Sequence, residues 1–218
     1  MKSVKHILTA LTLCIAMISC NTSDNPQPGV VLYSIVTYEG SSSDGMRSTL
    51  TFQVNNDSEV ITYTTVWTPP EGTKPGDRLL IAYTTESNAL QSGTITVLSY
   101  ANIPCGQATY SNAIPSSESI NLNALWRTGN YLNLDCYVTI SGQASEIALY
   151  IDQRTINSSE PQAYIIIGHG NGPQPTEAPR RLYASWNIEQ IWQQPTLSSL
   201  KINFIDFSNK LQSYIITK

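Results

Sequence analysis

The sequence predicts an all-β protein, a small closed or partly closed barrel followed by a β-sandwich. Short runs of alternating apolar and polar residues recur along the chain, broken by Gly, Pro, Asn and Ser. No stretch after residue 20 sustains a helical period. The composition adds a third observation: 12 Tyr stand against 3 Phe, a bias towards strands with wet surfaces.

In the first half, alternation places strands at 30–38, 48–54, 59–67, 78–85 and 94–100. Turns are expected between Gly40 and Gly45 and at Asn55-Asn56-Asp57. Pro69, Pro70, Gly72, Pro75 and Gly76 form a loop that cannot continue a ladder. Five short antiparallel strands in about seventy residues suit a small barrel. The second series covers 131–140, 146–151, 163–167, 182–188, 200–207 and 211–217. In its first run, Leu132, Leu134, Cys136, Val138 and Ile140 share one face, while Tyr131, Asn133, Asp135 and Tyr137 share the other. Six strands with one apolar face each argue for a sandwich, and residues 188–192 fit one helical turn. Between the two series, Pro, Gly and Ser replace alternation, so this stretch is expected to be a linker. The resulting plan is a signal peptide at 1–19, a polar tether at 20–29, a barrel at 30–104, a linker at 105–119 and a sandwich at 120–218.

The first twenty residues read as an address. Lys2 and Lys5 precede an apolar core of about twelve residues, too short for a spanning helix, which needs roughly twenty. The core ends in Met17-Ile18-Ser19-Cys20, which resembles a bacterial lipobox with Met17 in place of the more usual Leu. Cys20 would then be the lipid attachment site and N-terminus, a palmitate-type anchor; the alternative is ordinary cleavage that leaves Cys20 a plain thiol. The polar stretch at 21–28 fits a tether. Several acyl chains hold a protein where one does not, each buried methylene contributing about 0.8 kcal/mol.

The whole chain has 218 residues and a net charge of −4. Without residues 1–19, ten Lys and Arg face sixteen acidic residues, a net of −6. Such a surface repels nucleic acid and anionic head groups on average, so membrane association is expected from the anchor at Cys20 and no nucleic-acid partner is expected.

Two segments look familiar. Residues Pro75-Gly76-Asp77-Arg78-Leu79-Leu80-Ile81-Ala82-Tyr83-Thr84 and Leu125-Trp126-Arg127-Thr128-Gly129-Asn130-Tyr131-Leu132-Asn133-Leu134 resemble signatures of the NigD-like lipoproteins of Bacteroides and Prevotella relatives. The resemblance implies an N-terminal OB-like barrel and a C-terminal β-sandwich behind a lipobox. It departs at Ile167-Gly168-His169-Gly170-Asn171-Gly172, where the family tends to carry Arg-His-Asn. The family takes its name from a gene cluster for a bacteriocin, nigrescin. It therefore implies a role in toxin production, export or immunity by association, and it brings no catalytic residues to carry over.

The remaining candidates are sparse. His169 is the one His after Cys20 and cannot build a His-rich metal site. No Gly-x-Ser-x-Gly elbow supports a triad. Asp77 and Asp135 read as structural hydrogen-bonding groups, and glycines 168, 170 and 172 open no helix that could cradle phosphate. No catalytic residue, cofactor or metal is expected. Tyr33, Tyr38, Tyr63, Tyr83, Tyr100 and Trp67 could offer stacking platforms on a barrel, but only Arg47, Lys74 and Arg78 supply positive charge there. Among the tryptophans, Trp126 and Trp186 are expected in the core. The expected function is that of a non-enzymatic accessory or binding lipoprotein of the envelope, at the outer membrane, with an unidentified protein or glycan partner. The runner-up is a carbohydrate-binding lipoprotein, and a hydrolase comes third.

Overall fold

The computed structural model describes residues 30–55, 58–86, 90–139, 146–168 and 178–218. The signal and tether at 1–29, Cys20, the turn residues Asn56 and Asp57, Ile140, His169, Gly170 and Gly172 lie outside them.

Strands β1 (Leu32–Ser41), β2 (Ser48–Phe52), β3 (Ile61–Thr65), β4 (Arg78–Thr85) and β5 (Gly93–Asn102) close into a barrel in the order β1-β2-β3-β5-β4. β3 and β5 pair in parallel and the remaining pairs are antiparallel. This is the five-stranded Greek-key barrel of an OB-like domain. Alternation turns Val36, Tyr38, Leu50, Tyr63, Leu79, Ile81 and Tyr83 inward. The Tyr63 hydroxyl lies 3.2 Å from that of Tyr83, which lies 3.3 Å from Ser34 Oγ. The interior thus satisfies its own phenols, as buried hydroxyls require. Tyr38, Tyr63 and Tyr83 are core residues, a correction to their reading as stacking platforms.

Two sheets follow. One has the order β14-β13-β11-β10-β7 and the other β6-β12-β9-β8. Their strands are β6 (Cys105–Gln107), β7 (Thr109–Ser111), β8 (Ile120–Thr128), β9 (Tyr131–Val138), β10 (Ile147–Asp152), β11 (Gln162–Ile167), β12 (Arg180–Asn187), β13 (Ser199–Ile205) and β14 (Leu211–Thr217). The sheets enclose a single core that includes Leu132, Leu134, Cys136, Leu149, Ile165, Trp186 and Ile202. Trp186 is in the core as expected, and the expected helical turn is α1 (Glu189–Trp192).

The segment 105–119 is not a plain linker. β6 adds to β12 and β7 adds to β10, both in parallel, so the chain crosses from one sheet to the other within a few residues of leaving the barrel. Each addition spans three residues, too few for alternation to register. β8 was not expected as a strand either. A bulge between Leu122 and Ala124 interrupts its pairing with β9, and a one-residue slip moves the following side chains to the opposite face. Leu125 therefore pairs with Leu134 on the core side, while Trp126 pairs with Asn133 on the other side. Trp126 is half-buried rather than in the core. The β8–β9 hairpin closes through Gly129-Asn130, and Gly129 has φ +55°, a conformation that glycine adopts without strain.

Neither Cys105 nor Cys136 is in a disulfide; Cys105 is exposed and Cys136 is fully buried. Burial pushes the Cys136 thiol up to about 12. A thiol reagent should therefore modify Cys105 in the native protein and Cys136 only after unfolding. Equal native rates at both would contradict the sandwich core.

Candidate functional site

The first familiar segment builds a turn. Lys74-Pro75-Gly76-Asp77 is closed by the Asp77 N–H donating to Lys74 O at 3.0 Å, with Gly76 at φ +97°. Pro then Gly at the central positions is the chemistry a type II turn asks for. Asp77 accepts the Lys74 N–H at 2.7 Å, the structural role its position suggested. Gly76 N–H and Asp77 O bond to Tyr38 O and N–H at 2.8 and 2.9 Å. The turn is thereby tied to β1, and Arg78 starts β4 at a set position.

Arg78 points out of the barrel and is buried at 7% exposure. Its Nη1 donates to Thr37 Oγ1 at 2.7 Å, its Nη2 to Asn133 Oδ1 at 2.8 Å and its Nε to Ser185 Oγ at 3.3 Å. The guanidinium lies 4.7 Å from the centre of the Tyr131 ring. Tyr131 and Asn133 belong to the second familiar segment, so the two segments meet at one side chain. Asn133 is held in turn: its Nδ2 donates to Thr128 Oγ1 at 2.9 Å, and its Oδ1 also accepts Ser185 Oγ–H at 2.9 Å. Burial pulls the Arg78 pKa below its ordinary value, while Tyr131 and Cys105 oppose the shift. An arginine remains charged even so.

The face of β9 opposite the core is therefore not a solvent face. Asn133 and Asp135 are 0% and 4% exposed. Asp135 accepts Arg181 Nε and Nη2 at 2.9 and 2.7 Å and also the Asn123 amide. Burial alone would raise its pKa, but the bonds from Arg181 and Asn123 outweigh burial and lower it. Beside Arg78, a recess of about 320 Å³ is lined by Glu71, Thr73, Asp77, Asn102 and Cys105 among others. Its two carboxylates suit no anion, and among the described residues no three His, Cys, Asp or Glu side chains gather as metal ligands.

A second recess, of about 530 Å³, lies where the edge strands β8 and β14 of the two sheets approach each other beside the barrel loop at Asn55. Leu125, Trp126 and Arg127 line one side, and residues 214–218 line the other. Arg127 is spread over the Trp192 ring at 4.1 Å and donates to Gly129 O. The C-terminus is fixed by the Lys218 N–H to Ser198 O and by Lys218 Nζ to Gln194 O, both at 2.9 Å. A recess lined by aromatic, aliphatic and cationic side chains can bind an apolar or π-bearing group and orient it by charge. The recess was missed in the sequence because the β8 bulge is what brings Trp126 out of the core. The other tryptophans lie elsewhere: Trp186 and Trp192 are buried, and Trp67 packs against Tyr100 at 5.3 Å on the barrel.

A five-stranded OB-like barrel clamped onto a two-sheet sandwich defines the class of protein. Residues 103–218 match the NigD-like C-terminal beta sandwich domain, and the chain belongs to that family. Among solved structures, it is similar to a protein of unknown function from Bacteroides vulgatus, with 14% identity, a TM-score of 0.64, and 87% of this chain and 91% of that one covered. A NigD-like immunity protein from Bacteroides caccae aligns at 15% identity and a TM-score of 0.61, over 88% and 99% of the two chains. A candidate lipoprotein from Bacteroides fragilis aligns at 11% identity and 0.59, over 86% and 98%. At these identities the likeness shows the fold. No functionally curated protein matches the chain.

The Asp135 carboxyl has a lower pKa folded than unfolded, so its stabilisation is complete above the ordinary aspartate value of 3.8 and is lost as pH falls through the folded value. Asp135→Asn should lower stability at neutral pH by about 1–2 kcal/mol, the modest size set by the half-exposed Arg181, and flatten the acid limb. Denaturant melts at pH 7 and pH 3 check this; an unchanged acid limb would remove Asp135 from the account.

Proposed function

We propose that the protein is a non-enzymatic, lipid-anchored component of the cell envelope that acts by binding a partner at the β8–β14 edge of its sandwich. The observation that carries the reading is the second recess, where Trp126 and Tyr214 are accessible beside Arg127 and Lys218 on the domain that defines the family. The immunity-protein name of the Bacteroides caccae relative supports a bacteriocin-related role. The lipobox ending at Cys20, together with the Bacteroides fragilis candidate lipoprotein, supports attachment at the outer membrane.

A carbohydrate-binding role is the second reading. It rests on the same Trp126 and Tyr214, because aromatic faces in a polar groove stack on sugar rings. A glycan array separates the two: binding that disappears in Trp126→Ala favours the sugar.

The anchor is tested directly. Wild-type protein should sediment with membranes and carry acyl mass on residue 20. Cys20→Ala should release a folded protein or leave residues 1–19 attached. A soluble wild type with an unacylated N-terminus would make it a secreted or periplasmic protein instead.

A further inference from the structure

β14 is an edge strand without the usual protection. It is last in its sheet, its seven residues pair with β13 from Ser199↔Thr217 to Ile205↔Leu211 without a bulge, and among the described residues no strand pairs with its other side. The other three edges of the sandwich are blunted. β6 and β7 are three residues long, and β8 is broken by its bulge. Proteins protect edges by shortness, bulges, prolines or inward charges. Leu211-Gln212-Ser213-Tyr214-Ile215-Ile216-Thr217 contains no charge, proline or glycine. Leu211, Ile215 and Tyr214 are 61%, 54% and 43% exposed. An unbroken, uncharged edge of this kind is a template for another strand.

Charge decides what the strand is. Two copies of β14 paired antiparallel over all seven residues would set Lys210 of each copy opposite Lys218 of the other, and like charges directly opposite destabilise a pair. Lys210 has the Asp206 carboxylate beside it and Lys218 Nζ donates to Gln194 O, but with Lys201 opposite Ile215 and Arg127 across the recess this edge keeps an excess of positive charge, which favours a segment with acidic ends. Its alternate side chains would enter the recess lined by Trp126 and Tyr214 or lie beside Leu211 and Ile215.

We propose that β14 takes up, by strand addition, an extended segment of a partner protein that is apolar at alternate positions and acidic at its ends. This rests on the reading of the protein as a binding component and names its partner chemistry.

The test is to pan a displayed library of random nine-residue peptides against the full-length lipidated protein in detergent. The enriched peptides should alternate apolar residues and end in Asp or Glu, and their binding should protect the amides of 211–217 from hydrogen exchange. Ile215→Lys, at an exposed position, should weaken binding by about tenfold or more, whereas Leu98→Lys on the barrel should not. The proposal fails if no peptide is enriched or if peptides bind Ile215→Lys undiminished. It also fails if the wild type is a dimer that Ile215→Lys dissociates, or if a glycan fills the recess without protecting 211–217. A ligand found elsewhere on the protein would overturn strand addition and leave the binding reading standing, whereas loss of the anchor would leave the peptide result intact.

Discussion

A single buried guanidinium joins the two halves of this protein. Taking an arginine out of water costs several kcal/mol. Hydrogen bonds to a charged group return about 1.5–3 kcal/mol each, and a desolvated cation over an aromatic ring about 2 kcal/mol. Arg78 makes three such bonds, the one to Ser185 being long at 3.3 Å, and covers Tyr131. The bonds and the ring thus offset the cost of burial, and they also fix a geometry. The Arg78 donors are met only when the barrel sits at one angle on the sandwich, with Thr37 on one side and Asn133 and Ser185 on the other. The residues around it serve that arrangement: the Pro75-Gly76 turn and the Asp77 carboxylate start β4 in place, and Thr128 and Ser185 hold the Asn133 amide.

This gives the two family-like segments a physical meaning. Gly76-Asp77-Arg78 and Gly129-Asn130-Tyr131-Leu132-Asn133 are far apart in the chain, yet they are the two sides of one contact. They build the scaffold, and the candidate binding edge lies elsewhere, between β8 and β14. The hairpin that carries Tyr131 and Asn133 also carries Trp126 and Arg127, so the clamp and the recess share a strand pair. The turn glycine of that hairpin abuts the barrel as well: a Cβ added at Gly129 would lie 3.7 Å from Gln53 Oε1.

Much of the fold was legible in the sequence because strand alternation is a strong signal wherever one face is buried. Leu132, Leu134, Cys136 and Val138 line the core as their spacing implied, and Asp77 caps its own turn. Alternation also separated Asn133 and Asp135 from the core, but it could not tell that their face lies against other groups rather than in water. A polar face bonded to polar partners reads the same as a wet one. β6 and β7 are too short to carry a period, and the bulge in β8 hides both the strand and the partial exposure of Trp126. The recess depends on that bulge and on the distant C-terminal strand meeting it, and local pattern encodes neither.

The claim that Arg78 couples barrel and sandwich is tested most directly by calorimetry of the purified chain and its Arg78→Ala variant. The wild type should unfold in one cooperative transition. The variant should lose that coupling, with the barrel melting in a separate, earlier transition while the sandwich keeps its own. A variant that unfolds in a single transition at the wild-type midpoint would contradict the account.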